Sequence, residues 1–143
     1  MLIFSLINMK IKFELSQLNN VSLEVKKQIN NKIVLISGEM GVGKTTLIKE
    51  LLSSMDVIDN VSSPTFSIIN QYATIKNEII YHIDLYRIKD ISDLDNIGFF
   101  EYLESGNYCF IEWGNIVEKL IDQDFNKFIL TKKEKFRVIK KIK

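Results

Sequence analysis

The eight residues Gly38-Glu-Met-Gly-Val-Gly-Lys-Thr45 fill every fixed position of the pattern G-x-x-x-x-G-K-S/T, between an apolar run and an amphipathic one. Such a loop works where a strand delivers the chain and a helix receives it, because its glycines let consecutive backbone N–H groups converge on one anion. Both flanks meet that demand. Upstream, Lys32-Ile-Val-Leu-Ile-Ser37 is apolar and β-branched after its first residue, as expected of a strand buried on both faces of a parallel sheet. Downstream, Thr46 to Met55 carries Leu47, Leu51 and Met55 at every fourth position, with Ile48 and Leu52 widening the stripe of a one-sided helix.

Each fixed residue then has a task. The loop residues Glu39, Met40, Gly41, Val42 and Gly43 wrap the phosphates, and the helix beginning after Gly43 aims its positive end at the same anion. Lys44 is expected to reach the β and γ phosphates, and the Thr45 hydroxyl to ligate the Mg²⁺ that bridges them. Thr46 is counted with the nucleotide-binding residues but has no metal contact. These residues point to a nucleoside triphosphate with Mg²⁺.

At 143 residues the chain is long enough for one domain with a real core, and short for an enzyme carrying a lid or helicase module. One domain over 1–143 is expected; Met9 offers a second start, which would leave residues 1–8 as an extension outside the fold. A formal net charge of +1 with dispersed Lys and Arg gives no electrostatic footprint for DNA or another nucleic acid. Lys132-Lys-Glu-Lys135 and Lys140-Lys-Ile-Lys143 read as a solvated edge. The single Cys109, inside the apolar run Tyr108 to Ile111, reads as a core residue in a reducing compartment. Met1 to Ile7 is apolar but too short for a membrane span and lacks the basic flank of a signal peptide, so a cytoplasmic location is expected.

The rest of the pattern alternates between strand and helix signals, with no repeat or linker. Lys10 to Leu15 suggests an opening strand, and Val21, Val25 and Ile29 a short helix. Phe66 to Thr74 and Glu78 to Tyr86 look like a hairpin around Ile75-Lys76-Asn77. Asp90 is placed to cap a helix with Ile91, Leu94 and Ile97 toward the core, ended by Gly98 before Phe99 to Leu103. Tyr108 to Trp113 is another buried strand, and Phe125 to Leu130 and Phe136 to Ile142 form a terminal antiparallel pair. The expected class is α/β, a P-loop NTPase-like three-layer sandwich around a central mixed, mainly parallel sheet.

A phosphate loop needs a further carboxylate for its metal, usually at the end of an apolar strand. Asp84 closes Ile79-Ile-Tyr-His-Ile-Asp84, and Glu112 closes Cys109-Phe-Ile-Glu112. Asp84 is assigned to Mg²⁺, directly or through water, and Glu112 to the γ phosphate, as the group that orients the attacking water or as a further metal ligand. Pro64, the only proline, extends the backbone of Ser62-Ser-Pro-Thr-Phe66 and makes Ser63, Pro64 and Thr65 a switch-like loop candidate, beside the plainer reading of a helix-to-strand connection. His82, the sole histidine, lies in an apolar strand and reads first as a packed or hydrogen-bonded core residue. Trp113 is a candidate contact for the nucleotide base, or a core or interface anchor.

Together, the phosphate loop, Ser63-Pro-Thr-Phe66, His82-Ile-Asp-Leu-Tyr-Arg87 and Ile111-Glu-Trp113 resemble the TsaE (YjeE) family of small bacterial ATPases, in the same order and from about Ile33 to Leu120. The resemblance implies a slow Mg²⁺-dependent ATPase subunit that supports formation of N6-threonylcarbamoyladenosine at position 37 of tRNAs reading codons that begin with A. It implies TsaD and TsaB as partners, TsaD carrying the transfer itself, with tRNA engaged only indirectly and no membrane. It makes Lys44 and Thr45 the phosphate and magnesium contacts, Asp84 the second metal residue, Glu112 the acid needed for hydrolysis and Trp113 the tryptophan near the nucleotide. Gly114-Asn115 departs from the proline-containing continuation often seen after that tryptophan.

Two other classes share a phosphate loop. A small kinase needs an acceptor pocket and an arginine-rich lid, and no such segment is found. A GTP-binding switch reads its base with Asn-Lys-x-Asp, which does not occur in the chain.

Overall fold

A computed structural model describes residues 9–58 and 68–143 in full, with the backbone of Ile3–Phe4 in addition. Eight strands among the described residues join into one sheet: β1 (Ile3–Phe4), β2 (Lys10–Glu14), β3 (Ile33–Ser37), β4 (Ile69–Ala73), β5 (Ile79–Asp84), β6 (Tyr108–Glu112), β7 (Phe125–Lys133) and β8 (Phe136–Lys141). Their spatial order is β1-β2-β8-β7-β3-β6-β5-β4. The four central strands β7, β3, β6 and β5 run parallel, and the antiparallel strands are added at the two edges.

Four α-helices among the described residues cover the sheet: α1 (Leu18–Lys27), α2 (Lys44–Ser53), α3 (Ile91–Asn96) and α4 (Phe99–Glu104). Alternation along β3 assigns the two faces. Val34 and Ile36 join α1 and α2 in a core with Phe13, Phe110 and Phe128, while Ile33 and Leu35 join α3 and α4 in a second core with Leu94, Phe99 and Ile111. Helices on both faces of a sheet make the expected three layers.

Most local expectations hold within a residue or two. The hairpin of β4 and β5 turns through Ile75-Lys76-Asn77, with Asn77 at φ 61°, and Asp90 caps α3 by accepting a bond from the Ser92 N–H at 3.3 Å. The terminal hairpin is tighter than expected: β7 continues to Lys133, leaving Glu134 and Lys135 as the turn, with Glu134 at φ 57°. One expectation is corrected. Ile91 is 49% exposed rather than core-facing, because α3 is a single short helix that buries only Leu94. The switch-like candidates Ser63, Pro64 and Thr65 lie outside the described residues. Among the described residues no helix is long and apolar enough to cross a membrane.

A buried amide pins the turn that feeds β3. Asn126 on β7, 1% exposed, accepts from the backbone N–H groups of Asn30 at 3.0 Å and Asn31 at 2.9 Å, and donates to Asn30 Oδ1 at 2.7 Å. Replacing it removes the partner of two part-buried backbone donors, so Asn126→Ala is expected to destabilise the protein by about 1–3 kcal/mol, read as a lower urea midpoint with an unchanged slope.

Candidate functional site

The parallel register brings the strand ends into one row. Ile36 pairs with Glu112 across β3 and β6, and Glu112 pairs with Asp84 across β6 and β5. The phosphate loop starts two residues beyond Ile36, so it emerges beside both carboxylates, at the carboxyl edge where open α/β sheets bind ligands. Alternation along β5 and β6 puts His82, Asp84 and Glu112 on the face that carries α2.

Backbone constraints build the loop. A Cβ on Gly38 would sit 2.5 Å from the Leu130 carbonyl oxygen and 2.8 Å from Val42, so only glycine lets the loop fold back against β7. Gly43, at φ 114°, is the residue from which α2 begins, and Lys44 and Thr45 occupy its first turn. From the far side, Arg137 on β8, 7% exposed, donates through Nε to the Val42 carbonyl at 3.2 Å. That grip on the loop was invisible in the sequence, because it joins residues 95 positions apart.

Side chains in the site are paired with one another. The Lys44 ammonium donates to the carbonyl oxygens of Gly38 and, at 3.3 Å, Glu39, and lies 3.6 Å from the centre of the Trp113 ring. Burial pushes the Lys44 pKa down, while Glu112 and Asp84 pull it back up. The Thr45 hydroxyl lies 2.9 and 3.0 Å from the two oxygens of Glu112. Glu112 is 2% exposed, and its Oε2 also lies 2.6 Å from His82 Nε2. His82 is therefore a hydrogen-bonded core residue, and its partner is the candidate catalytic acid. Cys109 is fully buried, and burial lifts its thiol to about 12, so it is no nucleophile.

A cavity of about 320 Å³ collects most of the nominated residues: Met40, Gly41, Gly43, Lys44, Thr45, Thr46, Asp84, Glu112 and Trp113 all line it. Glu39 and Val42 instead line an adjoining pocket of about 670 Å³, which shares Met40 and Trp113 with the first. Tyr86, whose ring centre is 5.0 Å from that of Trp113, completes one wall of the smaller cavity. The donor set fits a hard divalent cation bound with phosphate oxygens: one hydroxyl and two carboxylates, at the first turn of a helix and beside a lysine. Asp84 also acts locally, its Oδ1 accepting the Tyr86 N–H at 3.0 Å.

The model of the family described as threonylcarbamoyl adenosine biosynthesis protein TsaE matches residues 13–139. The chain belongs to the TsaE family. A tRNA threonylcarbamoyladenosine biosynthesis protein TsaE of Haemophilus influenzae is 38% identical to this TsaE-family chain over 81 residues, 57% of this chain and 51% of that one. Proteins of the same name from Rickettsia felis and Bacillus subtilis are 40% and 33% identical, each match covering 64% of this chain and 53% and 56% of theirs. The chain spans about half the length of these curated relatives. The crystal structure of Bacillus subtilis YdiB superposes with a TM-score of 0.68 at 22% identity, covering 96% of this chain and 87% of that one, which shows a shared fold.

Asp84 yields a test with a definite sign. Desolvation raises its pKa; the Tyr86 N–H opposes that, Glu112 adds to the rise, and His82 and Lys44 reduce it. A raised acid binds its proton more tightly in the folded state, so its contribution to stability is complete at low pH and is lost as pH rises through the folded pKa. Above that raised pKa the ionised Asp84 is a burden on the fold. Asp84→Asn keeps the acceptor for Tyr86, so calorimetry is expected to find a higher Tm above the folded pKa, with the gain shrinking as pH falls through that raised value and gone below the ordinary value of 3.8.

Proposed function

We propose that this chain binds ATP with Mg²⁺ and hydrolyses it slowly, as the ATPase subunit that supports threonylcarbamoyladenosine formation in tRNA. The observation that carries this reading is the buried Glu112 carboxylate held against the Thr45 hydroxyl at the head of the phosphate-loop helix. The names of the TsaE relatives, proteins of tRNA threonylcarbamoyladenosine biosynthesis, support the biological assignment. TsaD and TsaB are the proposed partners, with the transfer chemistry on TsaD and the cytoplasm as the place of action.

Residues already paired exchange partners in this mechanism. Lys44 leaves the Gly38 and Glu39 carbonyls for the β and γ phosphates, where its charge offsets what develops in the transition state. Thr45, its hydroxyl oxygen turned from Glu112, and Asp84, directly or through a water, would hold the Mg²⁺. When bound, Mg²⁺ would neutralise phosphate charge and polarise the bond to the leaving ADP. Glu112, freed from Thr45, accepts a hydrogen bond from a water aligned with the γ phosphorus. Attack forms the new P–O bond as the bond to ADP breaks, giving ADP and inorganic phosphate. Positioning and charge stabilisation supply most of the catalysis. A complex with partners offers the means to accelerate it.

The test is steady-state ATP hydrolysis by the purified protein, alone and with TsaD and TsaB. Wild type is expected to turn over slowly and to change rate with partners, while Glu112→Gln loses about 10²–10³-fold in kcat with nucleotide binding retained. Unchanged turnover in Glu112→Gln would remove that carboxylate from the mechanism. Transfer of phosphate to a small acceptor would replace hydrolysis with a kinase reaction.

A further inference from the structure

His82 has none of its surface exposed, and its Nδ1 is the one buried side-chain nitrogen or oxygen without a hydrogen-bond partner among the described residues. Its other nitrogen, Nε2, lies 2.6 Å from Glu112 Oε2. A carboxylate oxygen accepts, so the tautomer that makes this bond carries its hydrogen on Nε2, and Nδ1 has no partner. An unpartnered buried nitrogen costs stability that a phenylalanine ring of similar shape would not. The single return visible for that cost is the bond to Glu112.

That bond has a geometric consequence. The terminal torsion of a glutamate is broad and nearly two-fold, so a carboxylate with one weak partner turns freely. Thr45 cannot set its orientation, because Oγ1 lies almost equally far from both oxygens, at 2.9 and 3.0 Å. His82 contacts Oε2 alone. It sits two residues back along the neighbouring parallel strand, at the position paired with Phe110, and is fully buried there.

We propose that His82 is a positioning residue for ATP hydrolysis, fixing Glu112 by Oε2 so that Oε1 is the oxygen presented to the attacking water. The proposal rests on the ATPase reading above. It matters most once Thr45 turns to the metal, since His82 is then the side-chain partner that remains to Glu112. His82 itself touches neither nucleotide nor water.

Two substitutions separate positioning from packing. His82→Phe keeps the ring and removes both nitrogens; His82→Gln keeps an amide N–H at about the reach of Nε2. His82→Phe is expected to lower kcat by about 30–100-fold, as small misplacements of catalytic groups do, with the Kd for Mg·ATP by calorimetry within about threefold of wild type. His82→Gln is expected to recover kcat to within about tenfold of wild type. In ¹⁵N NMR of the wild-type imidazole, the Nε2-bound proton should be strongly deshielded, and Glu112→Gln should move it upfield.

Turnover of His82→Phe within about twofold of wild type overturns the proposal, and so does an equal fall in the Phe and Gln variants. An Nε2 proton indifferent to Glu112→Gln in a wild type that hydrolyses ATP overturns the tether alone. A wild type that hydrolyses no ATP with or without partners overturns the ATPase reading, and with it the purpose of a tether that NMR would still report.

Discussion

A carboxylate that is 2% exposed cannot stand alone. Burying an unpaired charge is costly, and the cost is met only when every lone pair in reach finds a donor in good geometry. Glu112 meets it with the Thr45 hydroxyl on one side and the His82 imidazole on the other. Those two partners come from α2 and β5, so a single side chain ties the phosphate-loop helix, β6 and the adjacent strand together. Thr45 reaches Glu112 only if α2 starts where Gly43 permits, and His82 reaches it only if β5 and β6 hold their parallel register. A slip of one residue in that pairing would send His82 to the opposite face.

The site is also assembled from mutually satisfied groups. The ammonium of Lys44 is shared among two loop carbonyls and an indole ring, and the hydroxyl of Thr45 is held by a carboxylate. Each is a modest neutral or charge-assisted contact, and each has the type of atom that a phosphate or a divalent cation would replace with a stronger one. Binding in such a site is an exchange of partners. Arg137 and the close approach of Gly38 to Leu130 hold the loop backbone in place.

What the sequence discloses follows from range. The phosphate loop, its strand and helix, the cap at Asp90 and the β4–β5 turn are local patterns, and all were legible. Lys44, Thr45, Asp84, Glu112 and Trp113 converge on one cavity, yet their contacts were not readable individually. Thr45 touches Glu112 because β6 lies beside β3, a fact of strand order that no periodicity carries. The roles of Arg137 and Asn126 are hidden for the same reason: each bonds backbone some 95 residues away. Ile91 failed differently. In α3 Leu94 alone is buried, and Ile91 at its first position is left at the surface.

Trp113 is the chain's only tryptophan, held at φ 58° by the turn after β6, with its ring over the Lys44 ammonium and against Tyr86. A cation over an indole alters the energy of its excited state, and a neighbouring phenol can pass excitation to it. Whatever draws Lys44 off that ring changes both the colour and the intensity of the emitted light. The protein thus carries a built-in optical gauge at the mouth of its phosphate loop, unlabelled and without competing tryptophan background.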